Sequence, residues 1–244
     1  MKKYLLFLGL LFFSSSANSQ IIISLLLGDK LNSGQVEFGL DGGYNLSTIT
    51  GLNDAKGLSG FNLGFYFDIK TKNPNWMFNT GVIVKSPMGA DDLPVYFLNN
   101  PDLDTAFIGG SVSRKLRYFN VPFMMKYTFK NNFYVKSGIQ LGLRSKCFDE
   151  FKKSILDDDD LKYKIDIKDQ YHLIDGGLAL GIGYRLMKGY GMNIGAQYYL
   201  GLMDITVDDS TPGQFNRVLY VTVGIPIGKA TSQKKNQKEE NKTD

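Results

Sequence analysis

The chain is poor in the residues that carry most side-chain chemistry. It has one cysteine, Cys147, one histidine, His172, and one tryptophan, Trp76, in 244 residues. A single cysteine forms no internal disulfide, and no Cys or His spacing here matches a zinc site. One imidazole makes histidine-based catalysis or a histidine metal centre a poor reading. Charge of one sign is also scarce. Lys plus Arg is 28, Asp plus Glu is 24, and the formal net charge is +4. That balance does not suit a dedicated nucleic-acid binder, and none is expected as a partner. Long apolar runs are absent beyond the N-terminus, so no helix of about 20 apolar residues is available to span a bilayer.

Apolar residues make up 43%, which excludes disorder for most of the chain. Glycine, at 27 residues, exceeds its usual share of about 7%. Aromatics reach 13%. Abundant Gly, Tyr and Phe with few helix formers predict an all-β protein with closely packed strands.

The N-terminus reads as an export signal over residues 1–19. Lys2 and Lys3 are followed by the apolar run Leu5 to Phe13 and the small polar stretch Ser14 to Gln20. Ala17-Asn18-Ser19 fits a small-x-small cleavage site, so the mature chain is expected to start at Gln20. Residues 20–35 read as a periplasmic segment, which includes the apolar stretch Ile21 to Leu27.

Period-two alternation recurs along residues 36–228. From Phe133 to Leu143, the odd positions Phe133, Val135, Ile139, Leu141 and Leu143 oppose Tyr134, Lys136, Gly138, Gln140 and Gly142. Eight strands are predicted, at 36–48, 60–70, 76–86, 115–129, 133–145, 171–186, 191–204 and 217–228. Most exceed the usual soluble strand of about 5–6 residues and suit tilted strands of roughly 9–11 residues crossing a bilayer. The connections alternate. Thr71–Asn75, Lys130–Asn132 and Met187–Tyr190 are tight turns, whereas 49–59, 87–114, 146–170 and 205–216 are long loops. Short periplasmic turns with longer outer loops are the habit of transmembrane barrels. The expected fold is therefore an all-β, eight-stranded antiparallel transmembrane up-and-down barrel in the outer membrane, with lipid around its apolar face.

Aromatics on that face gather near the short turns: Phe38, Phe67, Trp76, Phe78, Tyr127, Phe129, Phe133 and Tyr184. This is one interfacial girdle; Phe61 and Phe119 mark a weaker outer one. The polar face carries both signs. Glu37, Asp41, Asp68 and Asp175 share it with Lys70, Lys85, Lys126, Lys136, Arg144 and Arg185. Buried charges need partners, so the lumen is predicted to hold an ion-pair network built from Glu37, Asp41, Asp68, Asp175, Lys126, Lys136, Arg144 and Arg185. The four outer loops carry fifteen acids against eight bases, whereas the turns and the tail 229–244 are net basic. That tail is polar and expected to be disordered.

The chain resembles a Bacteroidetes outer-membrane barrel group, the PorT family, or outer membrane protein beta-barrel domain, over roughly residues 24–228. The likeness rests on Leu27-Gly28-Asp29-Lys30-Leu31-Asn32, Phe38-Gly39-Leu40-Asp41-Gly42-Gly43-Tyr44-Asn45, Phe61-Asn62-Leu63-Gly64-Phe65-Tyr66-Phe67, Tyr118-Phe119-Asn120-Val121-Pro122 and Asp175-Gly176-Gly177. It implies an outer-membrane location and leaves activity open. Some relatives are linked to type IX secretion, a role these residues do not carry over.

Other motifs read more simply as structure. Asp157 to Asp160, with Asp149, Glu150, Asp166 and Asp169, offers oxygen ligands for calcium, but the spacing is not that of an EF-hand and six lysines interleave. A solvated charged loop accounts for it. His172 and Ser210 echo barrel enzymes that act on lipids at the rim, yet the His-x-Ser of such a deacylase is missing. Asp104-Thr105-Ala106 and Asp209-Ser210-Thr211 resemble a short O-glycosylation pattern that is frequent by chance. No catalytic, cofactor or metal residue is assigned. The leading expectation is a non-enzymatic barrel serving as a structural, accessory or binding component, with a protein partner at loops 87–114 and 146–170. A narrow solute pore and a lipid-modifying enzyme are the alternatives. Eight strands give an interior that side chains fill, which disfavours the pore.

Overall fold

The computed structural model describes residues 35–52, 55–155, 161–189, 191–208 and 212–227. The expected signal at 1–19, the stretch from 20 to 34, the tail, Ser210 and Asp157 to Asp160 lie outside the described residues.

Ten strands form one sheet: β1 (Val36–Thr50), β2 (Lys56–Lys70), β3 (Trp76–Lys85), β4 (Pro87–Leu93), β5 (Ser111–Thr128), β6 (Phe133–Lys153), β7 (Leu161–Asp166), β8 (Ile174–Arg185), β9 (Asn193–Gly201) and β10 (Phe215–Pro226). Eight of them close a ring in the order β1-β2-β3-β5-β6-β8-β9-β10, and β1 pairs antiparallel with β10 from Gly39↔Pro226 to Thr50↔Phe215. Closure leaves no lipid-facing edge, as an apolar medium requires when it offers the backbone no hydrogen bonds.

Period-two alternation decides which face points where. On β6, Ile139 is 49% exposed and its neighbour Gln140 is fully buried. The same holds around the ring: Phe61, Phe119, Leu180, Tyr198 and Val221 point out, while Asn62, Asn120, Ala179, Tyr199 and Tyr220 are buried inside. This inverts a soluble barrel, whose apolar face turns inward. Water against such a belt would cost about 25 cal/mol for each Å² of apolar surface, so lipid is its natural medium. Near the short turns, Trp76, Tyr127 and Phe129 stack in sequence at 5.0 and 4.9 Å, and Phe133 meets Tyr184 at 4.9 Å.

Three expectations need correction beyond the lipid belt. Segment 87–114 is not a simple loop; it contains β4, the one-and-a-half-turn helix α1 (Pro101–Ala106) and the start of β5. Segment 146–170 continues β6 to Lys153 and returns as β7, which pairs with it from Phe148↔Asp166 to Lys153↔Leu161. Strands that leave the bilayer lose the lipid-driven alternation, and their charged residues read as loop. Finally, Lys85 is exposed on the outer side, not in the lumen. An irregularity between Leu63 and Gly64 pairs Gly64 with Ile83 but Leu63 with Lys85, so one residue is skipped and the lysine turns out.

From Ser86 the chain bows inward, while β4 stays paired with β5 from Pro87↔Arg117 to Leu93↔Val112 and with β2 at Gly57↔Ala90. The Ser86 hydroxyl lies 2.9 Å from that of Tyr220 on the inner face of β10. Asn45 Nδ2 donates to the Pro87 carbonyl at 2.7 Å, and Ser47 Oγ donates to the Gly89 carbonyl at 3.2 Å. Met88 and Ala90 are then fully buried against Ile49, Leu116, Tyr118, Cys147, Tyr199 and Val218. A second apolar cluster above it joins Leu93, Phe107, Val112 and Phe151.

Candidate functional site: the lumen and its outer mouth

Side chains stack in layers from the short-turn end to the mouth. In the first layer, Arg185 Nη2 reaches both oxygens of Glu37, at 2.6 and 2.5 Å. Tyr66 donates its hydroxyl to Glu37 Oε1 at 3.2 Å and accepts from Asn193 Nδ2 at 3.1 Å. The ring of Tyr66 needs the room that Gly39 leaves, since a Cβ there would sit 2.4 Å from its Cε1. Gly183 makes the same space for Tyr134, whose Cζ would lie 2.3 Å from a Cβ.

Asp68 holds the next layer. It accepts from Lys126 Nζ at 2.6 Å and from Asn79 Nδ2 at 2.7 Å. The Lys126 ammonium also sits 4.3 Å from the centre of the Tyr134 ring. Asp41 and Lys136 line one small cavity with Tyr66, Asn79, Lys126, Tyr134, Asn193 and Thr222. Its volume is about 20 Å³. That is room for about one water and not for a solute. Higher up, Gln197 Nε2 donates to Gln140 Oε1 at 3.2 Å.

Asp175 and Arg144 differ from the expected network. Asp175 is fully buried and accepts from Asn216 Nδ2 at 2.8 Å; no lysine or arginine forms an ion pair with it among the described residues. A neutral amide replaces the cation. Arg144 Nη1 donates to the carbonyls of Lys168 and Tyr171, so it ties down the rim. The eight candidates thus divide into two tight pairs, two residues sharing a cavity, one amide-bound acid and one rim arginine.

The mouth holds a pair not predicted from the sequence. Arg114 Nε and Nη2 donate to the two oxygens of Asp149 at 2.9 and 2.6 Å, and Nη1 donates to the Tyr171 hydroxyl at 2.9 Å. Tyr96 donates to Asp149 Oδ2 at 3.0 Å, and Tyr171 donates to Gln214 Oε1 at 3.0 Å. Burial pushes the Tyr171 phenol up to about 12. Burial pushes the Cys147 thiol just below up to about 12 as well, which disfavours its thiolate. Glu150 is held below the usual carboxylate range: burial pushes it up, and hydrogen bonds from Lys115 and Lys164 outweigh that. A cavity of about 380 Å³ opens beside Arg114, Tyr171, Thr206 and Gln214.

Three of the acids that could offer calcium ligands are held by basic side chains. Asp149 holds Arg114, Glu150 holds Lys115 and Lys164, and Asp166 lies 3.7 Å from Lys168. No group of three His, Cys, Asp or Glu among the described residues is placed to hold a metal.

An antiparallel ring of eight strands with an apolar exterior and a charged, paired interior defines an outer-membrane β-barrel. The chain belongs to the family described as outer membrane protein beta-barrel domain, whose model matches residues 16–207. The protein resides in the outer membrane. Among solved structures it is similar to Ail, the attachment invasion locus protein of Yersinia pestis, in complex with the heparin analogue sucrose octasulfate. The identity is 12%, over 79% of this chain and 99% of that one, with a TM-score of 0.40. It is also similar to Neisserial surface protein A, at 11% identity over 80% of this chain and 97% of that one, with a TM-score of 0.42. No curated protein matches the chain.

Proposed function

We propose that this protein is a closed, non-enzymatic barrel that binds a protein partner through its outer structure, as a structural or accessory component. The observation that carries this reading is the filled interior. Tyr66, Tyr118, Tyr134, Tyr199 and Tyr220 are all buried inside the ring, and Met88 and Ala90 of β4 join the cluster of Tyr118, Tyr199 and Tyr220. A barrel so plugged has little to offer as a channel. What it presents instead is a supported platform: β4, β5, β6 and β7 continue past the lipid belt over a core of Leu93, Phe107, Val112 and Phe151. Phe97, Ile108, Ile155 and Tyr163 stand exposed on it. Exposed apolar residues on a rigid, polar-rimmed surface suit protein contact.

A photo-crosslinking amino acid placed at Phe97 or Tyr163 in living cells tests the reading. A discrete protein adduct from these positions, and none from lipid-facing Ile139, is the expected result. Adducts of equal yield from all three positions, or none from the outer two, would reject it.

A further inference from the structure

We propose that the outward faces of β3, β5 and β6 form a binding site for the phosphate of an anionic lipid headgroup, built from Lys85, Arg117 and Lys146. All three are exposed. Arg117 and Lys146 sit one outward step beyond Phe119 and Leu143, which pair across β5 and β6, and Lys85 lies opposite the outward Leu63 of β2. Arg117 lies directly opposite Lys146 across the β5–β6 ladder. Like charges facing each other in a sheet repel, so this pair asks for an anion. Lys85 is on the neighbouring strand, two residues past Ile83, which pairs with Asn120 of β5; its Nζ stands 5.8 Å from the Phe61 ring centre.

Two irregularities aim these side chains. On β6 the inward positions are even, Tyr134 to Arg144, and Lys146 would follow them into the lumen. The register shift between Arg117 and Tyr118 inserts Ser145 and turns Lys146 out. On β3, Lys85 would follow inward Asn79 and Gly81, and the shift at Leu63/Gly64 turns it out as well. β-Bulges commonly re-aim side chains in this way. Both fall where the lipid belt ends, on either side of Arg117. Ser145 Oγ donates to the Arg117 carbonyl at 3.1 Å and fixes the bulge. The Arg117 guanidinium is 5.5 Å from the Phe148 ring centre.

None of the three cations forms an ion pair among the described residues. Their neighbours one step higher are already neutralised, since Lys115 and Lys164 share Glu150. A planar guanidinium matches two phosphate oxygens, and the flanking lysines add point charges. The apolar wall directly beneath gives acyl chains a place to lie. This combination selects a lipid phosphate over a free one. The site rests on the position of the lipid belt and not on the proposed partner function.

The test uses the full chain, folded in mixed micelles or nanodiscs of phosphatidylglycerol and phosphatidylcholine, with bound lipid read by native mass spectrometry. Wild type should retain phosphatidylglycerol over phosphatidylcholine by at least about tenfold, as basic residues near an anionic headgroup favour the charged lipid. The triple variant K85Q/R117Q/K146Q should lose that preference. The pair K152Q/K162Q, which removes two charges farther from the belt, should keep it. Should the triple variant fail to fold, K146Q alone must lower the preference severalfold. No preference in wild type, or a preference that survives in the variant, overturns the site. Displacement of the lipid by millimolar inorganic phosphate would show a simple anion site and overturn the lipid reading.

Discussion

Arg185 on β8 grips both carboxylate oxygens of Glu37 on β1 through one nitrogen, at 2.6 and 2.5 Å, across 148 residues of sequence. These strands are not neighbours in the ring; β9 and β10 lie between them. The pair therefore braces the lumen from wall to wall. Glu37→Gln leaves a buried guanidinium without its counter-charge. A loss of about 3–5 kcal/mol is expected in reversible urea unfolding from lipid vesicles. The double variant E37M/R185M should recover much of it, because removing both charges removes the desolvation cost too.

Asp68→Asn and Asp175→Asn should part company in the same experiment. Asp68 faces the Lys126 ammonium at 2.6 Å, and its loss strands a buried cation. That should cost about 3 kcal/mol or more. Asp175 faces the amide of Asn216, so its replacement strands no charge. A cost of about 1 kcal/mol, that of a single hydrogen bond, is expected. Equal losses would mean that Asp175 has a cationic partner after all.

The lipid belt was largely legible in the sequence. Alternation from Phe133 to Leu143 sorts inward from outward residues, because one face must meet lipid and the other the lumen. Ion-pair membership was legible only in kind. Glu37, Asp68, Lys126 and Arg185 share a face, but which of them touch depends on barrel radius and stagger, and period-two patterning contains neither. The outward turns of Lys85 and Lys146 were hidden because a bulge is one skipped residue with no composition of its own. Arg114 and Asp149 looked like loop charges, since both lie beyond the belt, where lipid no longer imposes an alternation on the sequence.

Depth and exposure can be separated with two isoleucines. Ile139 is 49% exposed in the belt, and Ile155 is 61% exposed beyond it, at the end of the β6 extension. Ile139→Arg should cost about 2–4 kcal/mol if it lies near the bilayer midplane. Ile155→Arg should change stability by no more than about 0.5 kcal/mol. Equal tolerance at both sites, measured by folding into vesicles, would remove lipid from the Ile139 side.

Acid should loosen the outer hairpin before the barrel. The folded-state carboxyl of Glu150 is held below its ordinary value of 4.5 by Lys115 and Lys164. Its contribution is therefore fully present above that value and is lost as pH falls through the lower folded one. Amide exchange along β6 from Lys146 to Lys153, followed with falling pH, should show protection fading below about pH 4.5. Glu150→Gln should flatten that dependence. An unchanged profile in the variant would assign the acid sensitivity elsewhere.

The most direct test of the closed barrel is electrical. Wild-type protein inserted in planar bilayers should give no steady unit current, because five buried tyrosines, two ion pairs and inward-packed β4 fill the ring, and the cavity beside Asp41 and Lys136 measures about 20 Å³. A stable, reproducible open state in the wild-type protein would contradict the closed lumen and make this barrel a pore.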